Sequence, residues 1–175
     1  MERFKKDPVL PLAEGIIWLM LVLVAIAGAA VLIAAPAVVF FGSELGDTVD
    51  VANVTLTLRI WTGVLLLGAA GLLYLGWRFF RAMQAIVRSV GYGDPFVHKN
   101  ADRLTQMAWL FLAINVLSVP LGWLGAYIAQ SLGEEAIRAG FSFDINSLLL
   151  ILILFILARV FRRGADMRDD LEGTV

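Results

Sequence analysis

The chain has 175 residues, of which 60% are hydrophobic, and a formal net charge of −1 from 14 Lys and Arg against 15 Asp and Glu. It has no Cys, which excludes disulfide frameworks, thiol nucleophiles and thiolate metal sites. Its basic residues are spread along the chain, so the charge gives no basis for direct nucleic-acid binding.

Four apolar segments are long enough to cross a membrane. Charged residues are absent from residues 15–41, 60–77 and 104–133, and a bilayer core about 30 Å thick needs about 20 helical residues. A fourth segment qualifies if Asp144 lies at one interface and Arg159 extends its side chain to the other. We therefore predict an all-α membrane protein, with four transmembrane helices in one bundle and a single domain over residues 1–175. The predicted spans are about 15–41, 58–78, 104–130 and 143–161.

The first span is far longer than the hydrophobic region of a signal peptide, so we expect helix 1 to persist in the mature protein. Small residues four apart follow within it, at Ala25 and Ala29 and at Ala30 and Ala34. Such spacing brings two helix backbones together in lipid. Packing within the chain is the favoured interpretation of these pairs and of the glycines of helix 2, and a homodimer contact is the alternative.

The positions of the basic residues predict the orientation. Twelve of the 14 precede helix 1, lie between helices 2 and 3, or follow helix 4, whereas Arg59 and Arg138 lie in the other two connections. The positive-inside rule then places both termini, the 78–103 loop and the 162–175 tail in the cytoplasm.

Few polar side chains lie at membrane depth, which argues against a pump. Asn115 is one of them, and Asp144 lies near the start of helix 4, at the same predicted level as Arg59. Intramembrane polar residues often mark a site, so these three are candidates for one. A helix N-cap is the favoured role of Asp144.

An amphipathic extension of helix 2 is predicted at the inner face over residues 78–90, because Arg78, Arg81 and Arg88 share one side of it. Two roles stay open for this basic side: it contacts anionic lipid headgroups, or it only fixes the membrane topology. The next residues, Ser89 to Asp94, resemble a potassium-channel selectivity filter, but their cytoplasmic position beside Arg88 excludes that role. Asn100 is a predicted N-cap of helix 3.

Two stretches resemble a bacterial membrane-protein family. Gly93-Asp94-Pro95-Phe96, Asn100 and Arg103-Leu104 match a G-x-P-F…N…R-L pattern, and the chain closes on Phe161, Gly164-Ala165, several acidic residues and Thr174-Val175. From Arg78 onward the chain is similar to the family named domain of unknown function 2975, whose members are four-span inner-membrane proteins. Met167 departs from the pattern, since Leu is more frequent there.

The resemblance implies a bacterial inner-membrane location and a partner, because members are often encoded beside a small helix-turn-helix regulator. The leading hypothesis is an accessory or regulatory protein that binds this cytosolic DNA-binding regulator, with acidic tail residues competing with DNA phosphate. A solvated helix end is the alternative for the tail. The candidate residues for partner or lipid contact are Arg78, Arg81, Arg88, Asp94, Pro95, Phe96, Asn100, Arg103, Asp166, Asp169 and Asp170.

The second hypothesis is a small transporter or a lipid- or ligand-sensing protein whose site lies inside the bundle. An enzyme is not predicted. The single His98 lies among charged residues in the cytoplasmic loop, where we expect a solvated side chain, and no catalytic residue, metal ligand or cofactor is assigned. The expected partners are membrane lipids, the DNA-binding regulator and further copies of the chain.

Overall fold

The computed structural model describes residues 9–46, 55–93, 95–132 and 145–172. These residues form four helices, α1 (Val9–Gly46), α2 (Leu56–Gly91), α3 (His98–Ser131) and α4 (Ile145–Glu172). All four are long and apolar enough to cross a membrane. The prediction of an all-α, multi-pass membrane protein with four spans is thereby confirmed.

Each helix extends beyond its predicted span. Helix α2 runs without interruption to Gly91, so the predicted amphipathic extension is part of the same helix. Helix α4 continues to Glu172, so residues 162–172 of the predicted tail are helical. Burial on one side explains the longer α4, since Ala165 is only 1% exposed and tertiary packing stabilises a helix more than intrinsic propensity does.

A tight connection joins α2 to α3. Gly93 has a φ of 87°, a left-handed conformation that favours glycine after a helix, and its N–H donates to the carbonyl of Val90 at 2.9 Å. Helix α3 begins at His98, and the N–H of Asn100 donates to the carbonyl of Val97 at 2.9 Å. The prediction that Asn100 caps α3 is therefore wrong, because this residue lies inside the first helical turn.

The contacts between helices divide the chain into two compact units. The described residues of the first unit come from 1–23, 75–113 and 144–175, and those of the second come from 24–74 and 114–143. The first unit thus contains all of α4, the end of α2 and the start of α3.

An apolar core lies between α2, α3 and α4 in the first unit. Ala82 of α2 packs in this core with residues of the other two helices, and aromatic side chains such as Phe79 and Phe155 pack around it. Small residues such as Ala108 and Ala158 are buried here, and they allow the helix backbones to approach closely in an apolar solvent. The buried core residues are Ala82, Leu104, Met107, Ala108, Leu154 and Ala158.

Glycine and alanine also mediate helix packing in the second unit. A Cβ atom on Gly63 would lie 2.7 Å from Cγ2 of Val39, and one on Gly68 would meet the side chain of Leu121. Ala35 of α1 is buried at the first of these contacts. Gly63 and Gly68 therefore provide close approach, as predicted, whereas the same prediction for Gly71 and Gly76 is wrong, because a Cβ atom at either would meet no described atom within 4 Å.

The small residues predicted as packing sites in α1 have a different environment. Ala25, Ala29 and Ala30 are exposed, and only Ala34 of the two predicted pairs is half-buried. The prediction that they pack within the chain is wrong, because α1 makes its close approach one turn later, at Ala35.

The Gly164→Ala substitution is expected to lower the free energy of unfolding. A Cβ atom there would lie 2.7 Å from Cδ1 and 3.3 Å from Cγ of Phe96, a rigid ring, and such overpacking costs about 1–3 kcal/mol. Gly76→Ala is the matched control, because a Cβ atom at Gly76 meets no described atom within 4 Å and alanine favours a helix by about 1 kcal/mol. Unfolding in detergent, followed by tryptophan fluorescence, compares the two variants. Equal stability would show that the ring of Phe96 moves away without cost.

Candidate functional site

A buried asparagine organises the connection between α2 and α3. Asn100 is 0% exposed, and its Nδ2 donates to Oγ of Ser89 at 2.6 Å and to the carbonyl oxygen of Pro95 at 2.9 Å. The Ser89 hydroxyl in turn donates to the carbonyl of Ile86 at 2.7 Å. One side chain of α3 therefore fixes both the end of α2 and the loop that follows it.

Arg103 completes this network from the next turn of α3. Its Nη1 donates to Oδ1 of Asn100 at 2.9 Å and to the carbonyl of Ala85 at 3.1 Å. Both sides of the Asn100 amide are thus satisfied, as a buried amide requires. We call Ser89, Pro95, Asn100 and Arg103 the loop clamp.

The loop also packs against α4. The ring of Phe96 lies 5.3 Å from that of Phe161, between centroids, and it covers Gly164 so closely that no larger residue fits without a shift. Ala165 is buried beside this contact. The position of the α4 end is therefore set by the loop.

Exposed ion pairs surround the loop clamp. Arg88 pairs with Glu14 of α1 at 2.8 Å, and Arg162 of α4 pairs with Asp102 at 2.6 Å. Every side chain in these pairs is at least 31% exposed, so each pair contributes at most about 1 kcal/mol. Their main effect is to fix the side-chain positions.

His98 faces two carboxylates of α4. Its Nε2 lies 3.1 Å from Oδ2 of Asp169 and 3.7 Å from Oδ1 of Asp166. The imidazole is exposed, as the sequence predicts, but it also lies within 4.0 Å of the carboxylates of Asp166 and Asp169. No three His, Asp or Glu side chains in the described ranges form a group that could hold a metal ion.

The predicted contact residues fall into two sets. Asn100, Arg103 and Pro95 are buried or half-buried and bond within the chain, so they are positioning residues, and Phe96 packs on α4. The second set is exposed and contains Arg78, Arg81, Arg88, Asp166, Asp169 and Asp170.

Two arginines of this exposed set already have neighbours on the protein. The guanidinium of Arg81 lies 4.9 Å from the ring centroid of Trp77, a cation–π distance, and Arg88 pairs with Glu14. Asp94 lies outside the described residues.

No hydrogen bond is seen between the candidate polar residues at membrane depth among the described residues. Arg59 is half-buried, and its Nε has no hydrogen-bond partner among the described residues. Asn115 is half-buried, and its backbone carbonyl accepts a hydrogen bond from the Ser118 hydroxyl at 2.8 Å. Asp144, the predicted partner of Arg59, lies outside the described residues.

Several positioning residues were not predicted from the sequence. These residues bond to partners that are distant in the chain or lie across the loop, and they are Ser89, Glu14 and Asp102. Arg159, Arg162 and Arg163 lie within five residues of each other, a spacing that indicates an anion-binding surface as well as a cytoplasmic orientation.

The Asn100→Ala substitution is expected to lower the free energy of unfolding by roughly 2–4 kcal/mol, because the Pro95 carbonyl loses its Asn100 donor and Arg103 loses one of its two acceptors. Lys99→Ala is the control, since Lys99 is exposed in the same helical turn. Unfolding in detergent titrated with a denaturing surfactant measures both. A change as small as that of the control would contradict the role of the loop clamp.

Comparison with known proteins finds one family. No curated protein and no solved structure matches the chain. The family model described as "Protein of unknown function (DUF2975)" matches residues 44–175, which include α2, α3, α4 and the whole loop clamp. The predicted family is thereby confirmed, and this integral membrane protein belongs to the DUF2975 family.

Proposed function

We propose that this protein is a membrane-bound accessory or regulatory protein of the bacterial inner membrane, with both termini in the cytoplasm. It binds a small cytosolic helix-turn-helix regulator through the end of α4 and the α2–α3 connection. Its role in this proposal is binding, without a reaction of its own.

The observation that carries the proposal is the fixed helical geometry of the acidic α4 end. Asp166 and Asp169 are 59% and 66% exposed, and Asp170 is exposed one residue later. Because Gly164 packs on Phe96 of the loop and Ala165 is buried, the helix that carries these carboxylates is held in place before any partner binds. A preordered surface loses less conformational entropy on association.

Charge gives this surface a preferred partner. A helix-turn-helix protein binds DNA phosphate through basic residues, and an acidic surface competes for them. His98 lies beside Asp166 and Asp169, and an arginine of the partner would replace it. An arginine is the stronger partner, because it is always charged and binds a carboxylate through two N–H groups.

Exposed aromatic side chains support the same surface. Tyr92 at the end of α2 is exposed, and Phe96 is partly exposed although it packs on α4. Large aromatic residues supply much of the binding energy in protein interfaces. The loop and the α4 end thus offer an apolar anchor together with a charged surface.

The orientation is testable because the chain has no native Cys. A single cysteine at Met167, which is 62% exposed, is expected to react with a membrane-impermeant maleimide only after spheroplasts are permeabilised. A cysteine at Asp50, between α1 and α2, is expected to react in intact spheroplasts. The opposite pattern would place the α4 end outside the cell and remove the proposal.

Photocrosslinking in cells tests the partner. A photoreactive residue at Met167 is expected to capture a small DNA-binding protein, while the same residue at exposed Trp123 in the second unit serves as the control position. Replacing Asp169 and Asp170 by Lys is expected to reduce capture about tenfold or more, since like charges then face each other. In permeabilised spheroplasts, added duplex DNA is expected to compete with capture. Undiminished capture by the charge-reversed variant would contradict acidic recognition.

A further inference from the structure

A groove beside α4 combines a basic side with an apolar side. Its volume is about 430 Å³, and its lining includes Thr105, Phe155, Arg159, Arg162, Arg163 and Asp166. A second groove of about 430 Å³ shares Phe155, Arg159 and Arg163 with it and adds Ile156 and Val160. Arg159 and Arg163 therefore border both grooves.

These two arginines are available to an external anion. They lie four residues apart on one helix, so they project from the same face one turn apart. Both are exposed, and neither has a carboxylate within 4.0 Å among the described ion pairs. Arg162 differs from them, because its Nη2 lies 2.6 Å from Asp102.

The charge balance of the groove fits a single negative charge. Three arginines line it against one carboxylate, that of Asp166, and Asp102 neutralises Arg162. The remaining charge is +1, which suits a monoanionic phosphodiester. Two guanidinium groups also match phosphate geometry, since each can donate two parallel hydrogen bonds.

The apolar side continues directly from the arginines. Phe155, Ile156 and Val160 border the grooves, and the exposed side chains of Leu152 and Ile153 extend this surface along α4. An acyl chain that lies on this surface would contact apolar side chains along its length.

An aromatic pair marks the level of the site in the membrane. Trp109 is 58% exposed, and its ring meets that of Phe155 edge-to-face at 5.6 Å between centroids. Exposed tryptophan is typical of the membrane–water interface. The adjacent arginines therefore lie where lipid headgroups are found.

We propose that these grooves bind one anionic glycerophospholipid of the phosphatidylglycerol type. Arg159 and Arg163 hold its phosphodiester, and an acyl chain lies along Phe155, Ile156 and Val160. This site does not depend on the proposed regulator, and it gives the lipid-sensing alternative a specific location.

Native mass spectrometry of the full chain in detergent tests the site. The probes are phosphatidylglycerol, phosphatidylethanolamine with the same acyl chains, and glycerol 3-phosphate as a soluble phosphate ester without acyl chains. We expect one phosphatidylglycerol molecule to bind about tenfold more tightly than phosphatidylethanolamine, and glycerol 3-phosphate to bind far more weakly. Equal affinity for the two lipids would overturn anionic selectivity. Glycerol 3-phosphate binding as tight as that of phosphatidylglycerol would identify a soluble-anion site instead.

Variants locate the site. The double substitution R159Q/R163Q is expected to lower phosphatidylglycerol affinity about tenfold, whereas R168Q, which removes one positive charge of α4 outside the grooves, is expected to change it less than twofold. R159K/R163K retains the charge but loses the planar fork, so an intermediate loss is expected. Equal losses for R168Q and R159Q/R163Q would overturn the location. If a variant fails to fold, the three probes on the natural chain still decide the lipid selectivity.

Discussion

The hydrogen bonds of one buried amide determine how the first unit is assembled. Asn100 has no contact with solvent, and its donors and acceptor all bond within the chain. An unsatisfied polar group at such a position costs about 1–3 kcal/mol, so the loop conformation that supplies its partners is strongly favoured. That conformation directs Phe96 onto α4. The position of the α4 end thus follows from a residue more than 60 positions earlier in the chain.

The two proposed surfaces share α4 but differ in charge. Arginines lie in the first part of its exposed end, beside Phe155, and carboxylates follow from Asp166 onward. This order matches the environment that each group requires. Guanidinium groups beside exposed tryptophan lie near lipid phosphate, whereas carboxylates are best placed further into water. In these proposals, one helix presents a lipid-facing site and a water-facing site about one to two turns apart.

Ion pairs stabilise this arrangement less than the buried hydrogen bonds of Asn100 do. The pairs of Arg88 with Glu14 and of Arg162 with Asp102 are exposed, and water screens such pairs. They also distinguish the arginines of the groove, since Arg162 is paired with Asp102, whereas Arg159 and Arg163 are the proposed anion-binding pair. His98 likewise lies beside the carboxylates of Asp166 and Asp169.

The four apolar spans, the helical class and the family follow from the sequence alone, because hydrophobic segments and short motifs are local properties of the chain. It also selected Phe96, Asn100 and Arg103, although as contact residues. Only the tertiary structure assigned Asn100 to an internal network, extended α4 to Glu172 and replaced Ala25 and Ala29 by Ala35 as the packing site of α1. The physical reason is that burial and pairing depend on residues distant in sequence. A polar side chain in a loop looks the same from sequence whether it faces water or another helix, and only packing decides which.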